Sequence, residues 1–166
     1  MKTIRLTRGK VALVDDADYE WLSQWKWHAQ RNRFLTLPDR WVAVRFTAGR
    51  KNPHPLYMHR ELARRWGWPD SPQFDHKDRD ALNNRQENLR PASASQNGMN
   101  RAKLPGHTSR FKGVSWHKAI ERWRAYIQVA RRHVSLGYFD CDQDAALAYD
   151  AAARQHFGEF ARTNFP

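Results

Sequence analysis

Apolar and polar residues alternate in three short stretches near the start of the chain: VALVD (residues 11–15), WKWHAQ (25–30) and WVAVRF (41–46). Their β-branched and aromatic content suits half-buried strands. Between the first two, Asp16 stands where a short helix is capped, with Tyr19 and Leu22 on one face of that helix. The polar runs QRNR (30–33) and TAGRKN (47–52) read as turns. The period then changes. In MHRELARRWGW, Met58, Leu62, Ala63 and Trp66 share a helical face, and PDSP (69–72) breaks the helix. The block FDHKDRDALNNRQENLRPASASQNGMNR predicts a short strand, a long polar loop, a second strand at NLR and a helix beginning near Ser93.

Apolar periodicity lapses in AKLPGHTS (102–109), whose Pro, Gly, Thr and Ser mark a boundary. Beyond it, FKGVSWHK (111–118), RWRAYIQVA (122–130) and RHVSLGYF (132–139) predict three strands. DQDAALAYDAAARQHF predicts a helix on which Ala145, Ala148, Tyr149, Ala152, Ala153 and Phe157 recur at helical spacing as a packing face. The expected class is α+β. The expected organisation is a β-rich accessory region over residues 1–56, a second region over 57–104, a linker over 105–109 and a three-stranded antiparallel sheet on one helix over 110–166.

Charge narrows the partner. The 166 residues carry 29 Lys and Arg against 17 Asp and Glu, a formal net charge of +12. An excess of that size favours a polyanion, because each phosphate neutralised releases a condensed counterion. A ribosome-associated protein or an RNA binder would share that charge, but the chain has no aromatic-rich RNA motif on its strands. No apolar run approaches the roughly 20 residues that span a bilayer, and the start lacks a signal-peptide core. The single cysteine, Cys141, excludes a disulfide framework and any multi-cysteine zinc site. A cytoplasmic protein of a bacterial or phage-infected cell is expected, with no membrane and no small-molecule substrate. Eight Trp residues supply large buried areas to a small core.

The second region carries candidate chemistry. Cleaving a phosphodiester requires a base for water, a cation for developing phosphorane charge, and rigid placement of both. Asp75 and His76 sit together at the end of a predicted strand. The carboxylate suits a hard cation such as Mg²⁺ and the imidazole a base near neutral pH. Asn88 heads the next strand, where its amide oxygen is placed to orient the imidazole. Asn97 lies about one turn into the following helix, placed to complete a metal site opposite Asp75. Asn83, Asn84 and Arg85 read as loop-shaping or phosphate-touching residues, and His59 as a structural residue at its helix start.

The sequence DH, then NNRxxNLR, then a helix bearing Asn resembles the HNH endonucleases, particularly the phage-type homing nucleases with a ββα-metal fold. The resemblance covers about 45 residues, with HRELA from His59 fitting its opening. It implies Asp75 and Asn97 as ligands of Mg²⁺ or Mn²⁺, His76 as general base and Asn88 as the residue that positions it. Asn97 stands where many HNH enzymes carry a histidine ligand, as in the phage-type subgroup.

Beyond the linker the charge divides. Arg110, Lys112, Lys118, Arg122, Arg124, Arg131 and Arg132 face one acid, Glu121, over residues 110–135, while residues 136–166 carry two bases and five acids. A basic sheet backed by an acidic helix makes the sheet the face that meets DNA, with Trp116, Trp123 and Tyr126 interleaved among the bases. Arg85 and Arg101 add basic positions outside the sheet. KGVSW, WRAYI, LGYF, DAALAYDAAA and NFP resemble the Apetala-two/ethylene-response-factor DNA-binding domain through residues 110–166, a family whose three strands enter the major groove. Ser115, Gln128, His133 and Ser135 replace base-reading arginines, so the plant target sequence does not carry over. Cys141 replaces the family's helix-capping threonine, leaving Asp140 or Asp142 as alternative caps, and is read as structural rather than redox-active. The expected protein is a homing-type DNA nicking enzyme acting on double-stranded DNA, a monomer favoured over an oligomer. The rival is a non-enzymatic DNA-binding regulator whose HNH region is only a scaffold.

Overall fold

Two strands that alternation did not reveal join those that it did. In the computed structural model, which describes residues 1–31, 41–47, 49, 53–70, 73–103 and 106–166, strand β1 (Lys2–Arg5) pairs antiparallel with β2 (Val11–Val14). Helix α1 (Asp16–Leu22) follows, then an antiparallel sheet in the order β3 (His28–Arg31), β4 (Trp41–Phe46), β5 (Pro55–Tyr57). Helix α2 (Met58–Arg65) continues directly from β5. Parts of QRNR, TAGRKN, PDSP and AKLPGHTS lie outside the described residues.

The chain divides into two compact units, Met1–Ala94 and Ser95–Pro166. In the first, Val14, Leu22, Trp27, Met58 and Leu62 share one buried cluster, so the N-terminal strands and α2 have a common core. The predicted strand at 25–30 starts only at His28; Trp27 before it bridges to Leu6 and is buried in that core, its indole N–H donating to the Leu22 carbonyl at 2.9 Å. Asp18, also buried, accepts from Arg65 Nε and Trp66 Nε1 at 2.9 Å each and ties α1 to the end of α2. The cap of α1 is Asp15 rather than Asp16, and its carboxylate makes no capping bond; it accepts instead from the Gln86 amide at 2.8 Å. Strands β6 (Gln73–His76) and β7 (Leu89–Ala92) form an antiparallel pair with Asp75 opposite Arg90 and His76 opposite Leu89.

The short helix α3 (Ala94–Met99) belongs, from Ser95 on, to the second unit. There β8 (Val114–His117), β9 (Arg122–Val129) and β10 (Arg132–Phe139) form an antiparallel sheet in the order β10-β9-β8, covered on one face by α4 (Asp142–Phe157). Ala145, Ala146 and Ala153 are fully buried, and such small side chains let helix and sheet approach closely. Gly113 meets the same demand from the sheet side. Its φ is +75°, and an added Cβ would lie 2.0 Å from the Tyr149 ring. Cys141 itself caps α4, its Sγ accepting from the Asp144 amide at 3.3 Å, so neither Asp140 nor Asp142 is needed there. Among the described residues no helix is long and apolar enough to cross a membrane.

The closing NFP is held by a fully buried acid. Asp150 accepts from the backbone and side-chain nitrogens of Asn164 and from the Phe165 amide, all at 2.8–2.9 Å. Asn164 in turn brackets Lys112, accepting from its amide at 2.7 Å and donating to its carbonyl at 3.1 Å. Asp150→Asn keeps the shape but replaces an acceptor by a donor, leaving one of these N–H groups unsatisfied. A loss of about 1–2 kcal/mol in urea unfolding is expected; unchanged stability would show that the network is not needed.

Candidate nuclease site and nucleic-acid interface

Asp75 and His76 end strand β6, and the 77–88 loop that follows is built on Asp78. Its carboxylate accepts from the Asp80 amide at 2.8 Å, Asn83 Nδ2 at 2.6 Å and Asn88 Nδ2 at 2.9 Å. Partial burial pushes its pKa up, but these hydrogen bonds outweigh burial and hold the carboxyl below its ordinary range. Asn88 Oδ1 accepts from the Asp78 amide at 3.1 Å, and its Nδ2 also donates to the Asn83 carbonyl at 2.8 Å. Both ends of the Asn88 amide are therefore engaged in closing the loop.

The N-terminal strands hold this loop from outside. Leu13 donates to the Leu82 carbonyl and accepts from the Asn84 amide, each at 2.8 Å, so the loop adds to the edge of β2. The region expected as an accessory layer is thus the clamp on the loop. It leaves Asn84 almost wholly buried, with Nδ2 turned to the carbonyls of Leu82 and Ala81 at 3.2 and 3.5 Å.

His76 is buried, and desolvation lowers its pKa; the polar side chain of Asn84, then the charges of Asp78, Asp75 and Asp80, act in the opposite direction. The net direction favours neutral imidazole, the form a general base requires. Sequence reasoning grouped Asn84 with the loop-shaping residues and missed its approach to the ring. It also set His59 apart. His59 in fact stands edge-on to His76, with ring centroids 5.6 Å apart, beside Tyr57 and Phe74.

Burial, with smaller contributions from His76 and Arg60, depresses the His59 pKa to about 3. An unfolded chain takes up a proton there below about pH 6.5, whereas the folded chain refuses it until about pH 3. The stability held by neutral His59 is therefore complete above pH 6.5 and falls as pH drops towards 3. Denaturant unfolding between pH 7 and 4 checks this: His59→Phe should have the shallower dependence, and equal slopes would refute it.

Asp75 is also buried, and Arg90, directly across the β6–β7 pair, donates Nε and Nη2 to its Oδ2 at 3.0 and 2.7 Å. Arg90 went unnoticed in the sequence because only the strand register puts it opposite Asp75. Asn97 sits on α3, half-buried, in the second unit. Among the described residues no group of three His, Cys, Asp or Glu stands close enough to hold a metal. The donors named by the resemblance, one carboxylate and one carboxamide, are hard oxygen ligands. They fit Mg²⁺ or Mn²⁺ held largely by water and substrate phosphate.

The sheet of the second unit has one covered face and one open face. Ala125 and Ile127 of β9 point at α4, so Arg122, Arg124, Tyr126 and Gln128 point away from it. The register adds Ser115 and His117 from β8 and His133, Ser135 and Tyr138 from β10 to the open face. Arg124 lies over the Tyr126 ring at 5.6 Å, and its Nε is shielded without a hydrogen-bond partner among the described residues. Arg122 pairs loosely with exposed Asp140 at 3.1 Å. Arg131 is at the tip of the β9–β10 hairpin, where Ala130 and Arg131 both take positive φ, and Arg132 opens β10.

The remaining expected DNA contacts divide. Arg110, Lys118 and Arg101 are exposed, Arg110 lying 4.8 Å over the Phe111 ring. Trp116 is partly exposed, but its pairing with Trp123, 5.1 Å between ring centroids, puts it on the α4 side of the sheet. Arg85 is engaged by Glu87 at 2.6 Å and Asn83 Oδ1 at 3.1 Å. The Lys112 ammonium donates to the Met99 carbonyl.

Comparison with known proteins agrees with both halves. Residues 57–99 match the HNH endonuclease family and residues 109–159 the AP2 domain family. Protein 3.8 of Escherichia phage T7 is 32% identical over 94 residues, covering 57% of this chain and 77% of that protein. Ethylene-responsive transcription factor ERF084 of Arabidopsis thaliana is 45% identical over 65 residues, 38% of this chain and 25% of that protein. APETALA2-like protein 2 of Oryza sativa subsp. indica is 42% identical over 60 residues, 35% of this chain and 14% of that protein. The similarity to these plant proteins thus spans a quarter or less of their length.

Proposed function

We propose a function from the premise that this chain belongs to the family of phage T7 protein 3.8 and joins an HNH endonuclease domain to an AP2 domain. It is a divalent-metal-dependent DNA endonuclease of homing type that nicks duplex DNA, held on its substrate by the open face of the C-terminal sheet. The observation that carries this reading is the buried Asp75–His76 pair at the end of β6, beneath a loop fixed by Asn88 and β2.

His76, neutral by burial and approached by Asn84, takes the proton from the attacking water. Asn88 positions it by holding the loop closed. Arg90 sets the Asp75 carboxylate and places positive charge beside the reacting phosphate. Asp75 and Asn97 would hold Mg²⁺ or Mn²⁺, which when bound supplies charge neutralisation at the phosphate and the leaving oxygen. Arg122 and Arg124 on the sheet, with exposed Arg110, Lys118, Arg131 and Arg132 around it, contact the DNA backbone and groove.

Plasmid nicking with and without Mg²⁺ or Mn²⁺ tests the proposal. Cleavage should require the cation and stop on chelation; undiminished cleavage in excess chelator would exclude this chemistry. The Arg90 guanidinium on Asp75 favours the rival scaffold reading. That reading predicts tight DNA binding with no nicking under any divalent cation.

A further inference from the structure

Six residues are too few for a helix to persist by its own hydrogen bonds, and none of those in α3 is fully buried. What holds α3 within the second unit lies at its C-terminal end. Met99 packs against the cluster formed by Ile127, Tyr149, Ala152, Ala153 and Phe157, where sheet and α4 meet. The Lys112 ammonium donates to the Met99 carbonyl, one of the last-turn acceptors that a helix leaves without an intrahelical donor. Lys112 is itself fixed through its backbone by Asn164, and Asn164 by buried Asp150 of α4. Four residues beyond α3, Lys103 donates Nζ to the Phe111 and Val114 carbonyls at 2.6 Å each, and desolvation lowers its pKa. The segment between the HNH motif and the AP2 sheet is therefore stitched to the sheet at both described ends.

We propose that the C-terminal AP2 fold is the scaffold on which the last helix of the HNH motif is built, with Met99 and Lys112 as positioning residues for Asn97. The AP2 domain in this chain is structural to the nuclease as well as a grip on DNA. Lys112 is spent on the helix terminus and not on phosphate. The catalytic consequence rests on the function proposed above; the structural dependence of α3 on the C-terminal fold does not.

Two measurements on the full chain test this, and they fail separately. The first is amide hydrogen exchange. Ile127 is almost wholly buried and shares the cluster with Met99, so Ile127→Val loosens the C-terminal unit without unfolding it. Exchange in β9, β10 and α4 should accelerate about 5-fold, and the α3 amides, together with the Asn100 amide that follows the helix and donates to the Gln96 carbonyl, should accelerate by the same factor. The β6 and β7 amides should be unchanged. If α3 keeps its protection, or follows β6 and β7 instead, the scaffold role is overturned whether or not the protein cuts DNA.

The second is Lys112→Met, which keeps the aliphatic stem and removes the ammonium. At saturating DNA and Mn²⁺, kcat should fall about 10-fold, as small displacements of a reacting group cost, while KM for DNA and the salt dependence of binding stay as in the parent. Unchanged kcat overturns the positioning role. A raised KM with a salt slope shallower by about one log–log unit would then assign Lys112 to phosphate.

Discussion

His76→Ala lowers the nicking rate at saturating DNA and metal by roughly 100- to 10,000-fold, the range that removal of a general base costs. Affinity for DNA, measured in chelator so that nothing is cut, stays within about twofold, because His76 is buried and lies outside the basic face of the sheet. The separation follows from the architecture. Neutral imidazole is favoured by desolvation before substrate arrives, and the 77–88 loop is already closed by Asp78 and Asn88 and clamped to Leu13. Asn88→Ala should cost less than His76→Ala in rate but more in stability, since it removes an acceptor for the Asp78 amide and two donors at once. Single-turnover cleavage beside thermal unfolding measures both. A His76→Ala protein that cuts near the parental rate would remove His76 from the chemistry.

Replacing Arg122 and Arg124 together by Gln weakens binding to duplex DNA by roughly 100-fold at moderate salt, at about 1.5 kcal/mol for each charged hydrogen bond lost. The slope of log affinity against log salt becomes shallower by about two units, one for each phosphate contact. These two side chains leave the same strand on the face away from α4, and the shielded Nε of Arg124 makes no bond among the described residues that the substitution would break. Arg122 forfeits only the exposed pair with Asp140, which contributes little. The fold should be untouched, so circular dichroism and unfolding midpoints should match the parent while binding curves at several salt concentrations do not. Equal affinity and equal slope would show that DNA does not meet this face. Cleavage at saturating DNA should change less than affinity, which separates holding from cutting.

Where each reading succeeded has a common cause. Helix α4 was legible because its alanines and Tyr149 recur at a spacing set by the helix itself, and the strands at 11–14, 41–46 and 114–139 because alternation is a local property. The likeness of residues 57–99 to the HNH family was legible because its motif is written in sequence spacing. The strands β1 and β5 were not, being four and three residues long with too little alternation to stand out. Cys141 as a cap was missed because thiol sulfur is a weak acceptor seldom expected there; only its position beside the Asp144 amide reveals the role.

By itself the amino-acid sequence determined the α+β class, the basic sheet and acidic helix of the C-terminal part, and the identity of the residues that resemble a nuclease. These depend on periodicity, charge and spacing, which are carried by neighbours along the chain. Tertiary structure alone decided that Arg90 lies on Asp75, that Asn84 approaches His76, and that Leu13 clamps the 77–88 loop. It also decided that Lys112, counted among the DNA-binding bases, donates its ammonium to the end of α3. Each is a contact between residues at least 8 positions apart in the chain. Such contacts depend on strand register and on which buried faces meet, and no local pattern encodes either.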